Sequence, residues 1–250
     1  MPQPYLSVVI PTFNEEARIA GTLSQVIEYL SGQDYQWEVV VADDGSSDHT
    51  ARLVGHTIVE HSNVRVLWLS HRGKGWAVKN GMLAAEGEYR LLCDADLSVP
   101  IEQVERLLPL FEPREPREPR ESRGAGADIV LGSREATGAV RIGEPARRHL
   151  MGRLFNFLVN RLAVPGLADT QCGFKCFRGE TAQDLFPRLT LDGFAFDVEL
   201  LHLARKRGLT YSEVGVEWYY RAQSKVRPVQ DSLSMTVDLL KIRWRHRNPV

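Results

Sequence analysis

Short apolar, β-branched segments alternate with helix-like segments through the first half of the chain. The predicted strands are Tyr5–Pro11, Trp37–Ala42, Val64–Leu69, Tyr89–Cys93 and Asp128–Leu131. Consecutive strands that are separated by a helix pair in parallel, because the helix returns the chain to the end of the sheet from which it started. The alternation therefore predicts an α/β fold with a Rossmann-like, mostly parallel sheet that is flanked by helices on both faces.

Helical periodicity predicts the other elements. We expect the first helix to follow Asn14, which would cap it, with Glu15 and Glu16 in the first turn. In the second half we expect helices over Ala146–Leu162, Asp197–Arg207 and Pro228–Arg245, and a strand over Thr210–Tyr219. We interpret residues 1–250 as a single domain, since this length is compatible with one α/β domain.

The composition disfavours several classes of protein. The chain has 31 Lys and Arg against 32 Asp and Glu, and a formal charge of −1 disfavours a general nucleic-acid-binding protein. The sequence has no run of about 18 apolar residues and no signal-peptide pattern, so we expect a cytoplasmic protein that does not cross a membrane. Three cysteines are consistent with a reducing compartment.

A triplet repeat interrupts the pattern between the fourth and fifth strands. The segment Glu112–Glu121 reads EPREPREPRE, with a proline at every third position. Proline blocks continuation of a helix, and the mixed charges keep the segment solvated. We therefore expect a flexible surface insertion over residues 112–127.

Two acidic motifs follow predicted strands. Asp94 and Asp96 flank Ala95 directly after the fourth strand, and Asp43 and Asp44 end the second. Ligands bind beyond the carboxyl ends of strands in such sheets, so Asp94 and Asp96 are candidate ligands of Mg²⁺ or Mn²⁺ on a diphosphate. Asp43 and Asp44 either close a turn and cap the next helix or accept hydrogen bonds from the ribose or base of a nucleotide.

Other motifs disfavour several common chemistries. The turn Gly73-Lys74-Gly75 matches neither a Walker loop nor a dinucleotide fingerprint, which disfavours an ATPase and a nicotinamide-dependent dehydrogenase. Cys172 and Cys176 have no second cysteine pair, so we expect two buried thiols on a strand rather than a zinc site.

The ordered motifs of the first half are Pro11-Thr12-Phe13-Asn14-Glu15, Asp43-Asp44-Gly45-Ser46, Arg72-Gly73-Lys74-Gly75, Asp94-Ala95-Asp96 and Gly132-Ser133-Arg134. Together they resemble the inverting family 2 glycosyltransferases, which have the GT-A fold. The later motifs are Asp169-Thr170-Gln171-Cys172-Gly173-Phe174-Lys175, Phe196-Asp197-Val198-Glu199-Leu200-Leu201 and Ser224-Lys225-Val226-Arg227. These resemble the dolichyl-phosphate β-glucosyltransferase branch of that family.

The resemblance implies roles for the motif residues. Donor binding is implied for Pro11, Thr12, Glu15, Asp43, Asp44, Lys74, Asp94, Ala95 and Asp96. For Lys74 the alternative is a surface position on its turn without contact to the donor. The implied metal ligands are Asp94 and Asp96. Catalytic roles are implied for Asp96, Arg134, Asp169, Gln171 and Lys175. The residues implied for the acceptor phosphate are Arg134, Lys175, Ser224, Lys225 and Arg227.

The expected reaction moves a hexose from a nucleotide sugar, UDP-glucose by resemblance, to a polyprenyl or dolichyl phosphate at the cytoplasmic face of a membrane. A lipid phosphate has a second pKa of about 6, so it is already an anion near neutral pH and needs cations rather than a strong base. The alternative acceptor is a glycan or small-molecule hydroxyl, which would need Asp169 or Asp197 as a general base. A nucleotide-sugar-binding protein without turnover and a nucleotidyltransferase are the other candidates.

Two basic amphipathic segments predict contact with a membrane surface. They are residues 146–163 and 228–247. From Arg221 onward, seven Lys and Arg residues stand against two Asp, which gives this end of the chain a local charge of about +5. Basic side chains of such helices attract anionic headgroups. For the C-terminal segment, a helix that packs on the core and has a solvated basic face is the alternative.

Overall fold

A seven-stranded sheet forms the centre of the protein. The computed structural model describes residues 3–112, 126–145 and 166–221, together with residues 159, 164, 237–239 and 241–247. The strands of the central sheet are β1 (Leu6–Thr12), β2 (Trp37–Asp43), β3 (Val64–Trp68), β4 (Tyr89–Cys93), β5 (Ile129–Ser133), β7 (Phe174–Arg178) and β8 (Tyr211–Gly215). Two short strands, β6 (Val140–Ile142) and β9 (Glu217–Tyr219), pair in a separate sheet.

The central sheet is mostly parallel, as the sequence predicts. Its strand order is β3-β2-β1-β4-β7-β5-β8. The pairs β1–β2, β1–β4, β2–β3 and β5–β8 are parallel, whereas β7 is antiparallel to both of its neighbours, β4 and β5. The direction of β7 is a feature that the sequence did not reveal.

Helices cover both faces of the sheet. They are α1 (Ile19–Ser31), α2 (Thr50–Glu60), α3 (Lys74–Ala84), α4 (Gly179–Leu185), α5 (Phe196–Lys206) and a C-terminal helix at residues 237–239 and 241–245. Alternate side chains of a strand point to opposite faces. Accordingly, Val8 and Ile10 of β1 pack in the buried cluster that contains α1, while Val9 packs with α3, α5 and the C-terminal helix.

The expected cap of the first helix is wrong. Helix α1 begins at Ile19, and no side chain caps it. Asn14 instead has a positive φ of 52°, and its Oδ1 atom accepts a hydrogen bond of 2.8 Å from the Ser47 backbone N–H. The Asn14 side chain is thus bound to a loop 33 residues away in sequence and does not cap the helix, which starts after Glu15 and Glu16.

The strand predicted over Thr210–Tyr219 is two strands. Strand β8 ends at Gly215, and after Val216 the chain joins the other sheet as β9. A Cβ atom at Gly215 would overlap the backbone of residues 137–139. Glycine therefore allows the chain to pass this close contact, where it leaves one sheet for the other.

Several expectations concern residues that lie outside the described parts of the chain. The repeat segment is described only at its edges, where the Ala127 N–H donates to the Leu110 carbonyl oxygen at 3.0 Å. The Ala146–Leu162 helix is described only at Val159, which is helical and buried. The flexible insertion and the single-domain organisation remain predictions. Among the described residues, no helix is long and apolar enough to cross a membrane.

The close packing of α3 on the sheet predicts opposite effects for two glycine-to-alanine changes. A Cβ atom at Gly81 would lie 2.5 Å from Cγ1 of the buried Val9 and 3.2 Å from Cβ of Ala42. We expect Gly81→Ala to lower the free energy of unfolding by about 1–3 kcal/mol, because the core is overpacked. At Gly21, on the exposed side of α1, Gly21→Ala meets no such neighbour and should raise it by about 0.5–1 kcal/mol. Urea unfolding measures the change in the free energy of unfolding for each variant. Changes of the same sign and size in both would contradict the close packing of Gly81 on Val9 and Ala42.

Candidate active site

The functional motifs converge on one edge of the sheet. The parallel strands β1, β2, β4 and β5 all end there, so the residues that follow them lie near one another. Strand β7 is antiparallel and starts at the same edge, because its first residue, Phe174, pairs with Cys93, the last residue of β4. The segment that precedes β7 therefore reaches the site as well.

A cavity of about 440 Å³ opens at this edge. Eight of the nine residues predicted to bind the donor line it: Pro11, Thr12, Glu15, Asp44, Lys74, Asp94, Ala95 and Asp96. The cavity wall also includes residues that sequence reasoning did not single out as binding residues: Phe13, Arg18, His71, Gly193 and Phe194. A cavity of this size at the carboxyl ends of the strands has the dimensions of a small-molecule site.

Asp43 and Asp44 both hold turns that shape the cavity. Asp43 is buried and accepts hydrogen bonds from the Ser46 backbone N–H at 3.0 Å and the Ser46 hydroxyl at 2.5 Å. Asp44 accepts hydrogen bonds from the backbone N–H groups of Arg72, at 2.9 Å, and Gly73, at 2.8 Å. Asp43 thus closes the predicted turn, whereas Asp44 holds a neighbouring loop, and no side chain caps helix α2 as the first interpretation expected. Of the two carboxylates only Asp44 lines the cavity.

An aromatic pair forms part of the cavity wall. The rings of Phe13 and His71 stack with their centroids 4.0 Å apart and an angle of 16° between their planes. His71 is fixed by its Nδ1 atom, which lies 2.7 Å from Asp44 Oδ2. Phe13 belongs to a recognisable motif, but no signal in the single sequence pairs it with His71.

Asp94 and Asp96 face the cavity from the end of β4. Asp96 Oδ1 accepts a hydrogen bond of 2.9 Å from the Ser98 N–H, and the intervening Leu97 has a positive φ of 44°. A positive φ is uncommon for a bulky residue, and strained residues of this kind cluster at functional sites. Gly173 packs directly against the Asp94 carboxylate, and a Cβ atom there would overlap it.

The donor set fits a divalent metal on a nucleotide. Among the described residues, no group of three or more His, Cys, Asp or Glu side chains is arranged to hold a metal ion alone. Mg²⁺ and similar ions are commonly held by one or two carboxylates together with substrate phosphates. Asp94 and Asp96 supply such carboxylates, and the cavity beside them has room for a diphosphate.

Lys74 contributes a cation to the same side of the cavity. Its Nζ atom lies 2.8 Å from Asp94 Oδ1. Burial acts to lower the pKa of Lys74, but the carboxylates of Asp94 and Asp197 outweigh it and raise the pKa. Lys74 is therefore a permanent positive charge in the cavity wall.

Arg134 and Asp169 form a two-point ion pair. Arg134 Nε lies 2.6 Å from Asp169 Oδ2, and Arg134 Nη2 lies 2.8 Å from Asp169 Oδ1. Burial opposes ionisation of Asp169, but Arg134 outweighs burial and holds the pKa of that carboxyl well below its usual range. The Gln171 N–H also donates to Asp169, at 3.1 Å. The structure thus brings these three predicted residues together.

Lys175 lies inside the protein rather than at the cavity wall. It is fully buried, and its Nζ atom lies 2.7 Å from Asp197 Oδ1 and 2.5 Å from the Cys172 carbonyl oxygen. Its neighbours on β7, Phe174 and Cys176, point to the other face of the sheet. The expected contact of Lys175 with a phosphate would need this inward pair to open, so the geometry favours a supporting role.

The remaining predictions concern the last acceptor-phosphate residues and the two later cysteines. Ser224, Lys225 and Arg227 lie outside the described residues, and their role stays a prediction. Cys172 and Cys176 are buried free thiols, and Cys176 lies on β7. Burial raises the pKa of Cys172 to about 12, which makes it a poor metal ligand.

Comparisons with known proteins identify the family of this chain. Residues 7–117 match the family model for glycosyl transferase family 2. Dolichyl-phosphate beta-glucosyltransferase of Dictyostelium discoideum is 37% identical over 97% of this chain and 75% of its own length. The human protein of that name is 35% identical over 98% of this chain and 76% of its own.

Solved structures show the same fold at lower identity. Glucosyl-3-phosphoglycerate synthase from Mycobacterium tuberculosis, in complex with Mn²⁺, UDP and glucosyl-3-phosphoglycerate, superposes with a TM-score of 0.66 at 22% identity. That match covers 96% of this chain and 78% of the synthase chain. The fold is that of the GT-A glycosyltransferases. The chain belongs to glycosyltransferase family 2.

The buried Arg134–Asp169 pair predicts a pH-dependent loss of stability. The folded-state pKa of Asp169 is depressed, so its contribution is complete above the unfolded pKa of about 3.9 and is lost as the pH falls below that value. Asp169→Asn leaves Arg134 without its ionic partner and should lower the free energy of unfolding by about 3–5 kcal/mol at pH 7. The difference in the free energy of unfolding between wild type and Asp169→Asn should become smaller below about pH 4.

Urea unfolding at a series of pH values measures this difference. Asp184→Asn is the matched control, because Asp184 forms partly exposed pairs with Arg188 and Arg207 and should contribute less than about 1 kcal/mol. A difference that does not change with pH would contradict the ionic role of Asp169.

Proposed function

We propose that this protein transfers glucose from UDP-glucose to a polyprenyl phosphate of the dolichyl type, with Mg²⁺ or Mn²⁺, at the cytoplasmic surface of a membrane. The names of relatives that are similar over nearly the whole chain support this sugar and this acceptor. A fold neighbour in complex with Mn²⁺ and UDP-glucose supports the donor and the metal. The observation that carries the proposal is the cavity in which Asp94, Asp96 and Lys74 meet at the sheet edge.

Different cavity residues would bind different parts of the donor. Asp94 and Asp96 would hold the metal ion, which supplies positive charge to the leaving diphosphate. Lys74 adds a fixed cation beside them, and such preorganised charge stabilises a leaving group as negative charge develops on it. The stacked rings of Phe13 and His71 offer an aromatic surface for the nucleoside end of the donor.

The surroundings of the candidate bases support a phosphate acceptor. A hydroxyl acceptor needs a carboxylate base within hydrogen-bond reach. The two carboxylates considered for that role, Asp169 and Asp197, are buried in ion pairs with Arg134 and Lys175, and neither lines the cavity. A phosphate oxygen is already anionic and can displace the diphosphate without losing a proton to the protein.

The C-terminal helix supports contact with a membrane surface. Leu239 and Ile242 are buried, while Val237, Lys241 and Trp244 lie on the opposite side. Val237 is 53% exposed and Trp244 is 66% exposed. Apolar and aromatic side chains next to basic ones on one helix face are typical of helices that lie in a membrane interface.

The reaction is tested by incubating the purified protein with Mg²⁺ or Mn²⁺ and each common nucleotide sugar, with and without a polyprenyl phosphate. We expect lipid-dependent release of UDP from UDP-glucose and sugar label in the organic phase. Asp96→Asn should lower the rate by about 100-fold or more, because the metal ion that would stabilise the leaving diphosphate loses a carboxylate ligand. Asp34→Asn, at an exposed site after α1, should leave the rate unchanged.

The outcomes of this test separate the candidate functions. Turnover with a hydroxyl acceptor and no lipid labelling would contradict the lipid-phosphate proposal and support the alternative acceptor. Binding of UDP-glucose without any turnover would instead support a binding protein. Release of inorganic diphosphate would indicate a nucleotidyltransferase.

The contact between Gly173 and Asp94 gives a second prediction. Gly173→Ala places a methyl group where the Asp94 carboxylate lies, so the carboxylate must move. We expect Mn²⁺-dependent UDP binding, measured by calorimetry, to weaken about 10- to 100-fold, as for other changes that misplace a metal ligand. Gly21→Ala is the control. Unchanged affinity in folded Gly173→Ala would contradict a metal-binding role for Asp94.

A further inference from the structure

Glu199 is a buried carboxylate outside the catalytic motifs. It lies on α5 and has no exposed surface. Its Oε2 atom accepts hydrogen bonds from the backbone N–H groups of Thr190, at 3.0 Å, and Leu191, at 2.9 Å. Its Oε1 atom accepts one from the Thr190 hydroxyl at 2.6 Å and lies 2.7 Å from His246 Nε2. Burying a carboxylate costs several kcal/mol unless it is well paired, so these four contacts are what keep it there.

The groups bound to Glu199 begin the cavity loop, which we define as residues 190–194. Two members of this loop, Gly193 and Phe194, line the donor cavity. Asp192 joins the loop to the start of α3, since its carbonyl oxygen accepts from the Trp76 N–H at 3.2 Å and its carboxylate lies 2.6 Å from Arg72 Nη2. The cavity loop therefore lies between Glu199 and the turn that carries Lys74.

The cavity loop packs so closely on the start of α3 that neither segment can move without the other. A Cβ atom at Gly75 would lie 2.6 Å from the Leu191 carbonyl oxygen, and one at Gly73 would lie 2.5 Å from the Asp192 carbonyl oxygen. Because Lys74 stands between these two glycines, a shift of the cavity loop would move the wall that contains Lys74.

The C-terminal helix holds the other side of the cavity loop. Arg245 Nη1 donates to the Thr190 hydroxyl oxygen at 2.8 Å and to the Thr190 carbonyl oxygen at 3.3 Å. Lys206 Nζ donates to the His246 carbonyl oxygen, which ties the end of this helix to α5. His246 thus reaches Glu199 from a helix whose inner face is packed on the core.

We propose that Glu199 and His246 are positioning residues for the donor: together they fix the cavity loop and so set the affinity of the cavity for a nucleoside diphosphate. This inference rests on the proposed binding of UDP-glucose in the cavity. It makes donor binding depend on the C-terminal helix, although His246 does not line the cavity.

The test measures Mn²⁺-dependent binding of UDP by calorimetry in the 250-residue chain. We expect His246→Ala to weaken UDP binding about tenfold, and Thr190→Ala, at an exposed position, about threefold, since each change removes hydrogen bonds that hold the loop. His246→Gln keeps a side-chain donor and should recover most of the affinity. The matched control is His56→Ala, at an exposed position on α2, and it should bind UDP as wild type does.

Kinetics distinguish positioning from simple destabilisation. Positioning predicts a KM for UDP-glucose that rises about tenfold in His246→Ala, with an unchanged KM for the polyprenyl phosphate. A purely structural role would lower the folded fraction and the binding stoichiometry and leave the affinity of the folded molecules unchanged, which would overturn the inference.

Failure of this inference and failure of the proposed function give different results. If wild type binds UDP and both His246→Ala and Thr190→Ala bind it equally well, the positioning role is overturned and the proposed function stands. If wild type binds neither UDP nor UDP-glucose with Mn²⁺, the proposed function fails, and the inference fails with it. Should His246→Ala not fold, Thr190→Ala and His246→Gln decide the question.

Discussion

The geometry of the site depends on the direction of a single strand. β7 enters the sheet between β4 and β5 and runs antiparallel to both. Because an antiparallel strand begins where its neighbours end, the segment before β7 arrives at the edge where β4 and β5 finish. This brings Asp169 to Arg134 and Gly173 to Asp94. A parallel β7 would start at the opposite edge, and neither contact would form.

Three cation–carboxylate pairs then allow many charges to share this edge. They are Lys74–Asp94, Arg134–Asp169 and Lys175–Asp197. A buried charge is tolerated only when its partner and hydrogen bonds offset the loss of water, so each pair fixes two segments of chain relative to each other. Only Lys74–Asp94 lines the cavity, where its charges can act on a ligand. The pairs Arg134–Asp169 and Lys175–Asp197 do not line the cavity and stabilise the segments next to it. The charges that can bind a ligand are therefore separate from those that hold the structure.

The sequence predicted the features that are encoded locally. Strand β4 is found at Tyr89–Cys93, as its apolar run predicts, and Asp94 follows it at the cavity. Contacts that depend on distant partners were not predictable in the same way. Lys175 reads as a candidate phosphate cation, yet its partner Asp197 comes from a helix 22 residues later. The same limit applies to His71, whose stacking on Phe13 follows from the meeting of two loops that no local pattern records.

Under the proposed function a water-soluble donor and a lipid acceptor would meet at one catalytic centre, and the C-terminal helix contacts the elements that bear on both. Its buried side reaches the cavity loop through His246 and Arg245, while Trp244 stays exposed on its outer side. A helix that lies in a membrane interface loses rotational freedom, because its apolar side chains must stay in the acyl boundary. Since the same helix contacts Thr190 and Glu199, docking at a membrane would also restrain the donor cavity. The fold thereby joins the surface proposed to contact the lipid to the cavity wall proposed to bind the nucleotide, through residues 244–246 of one helix end.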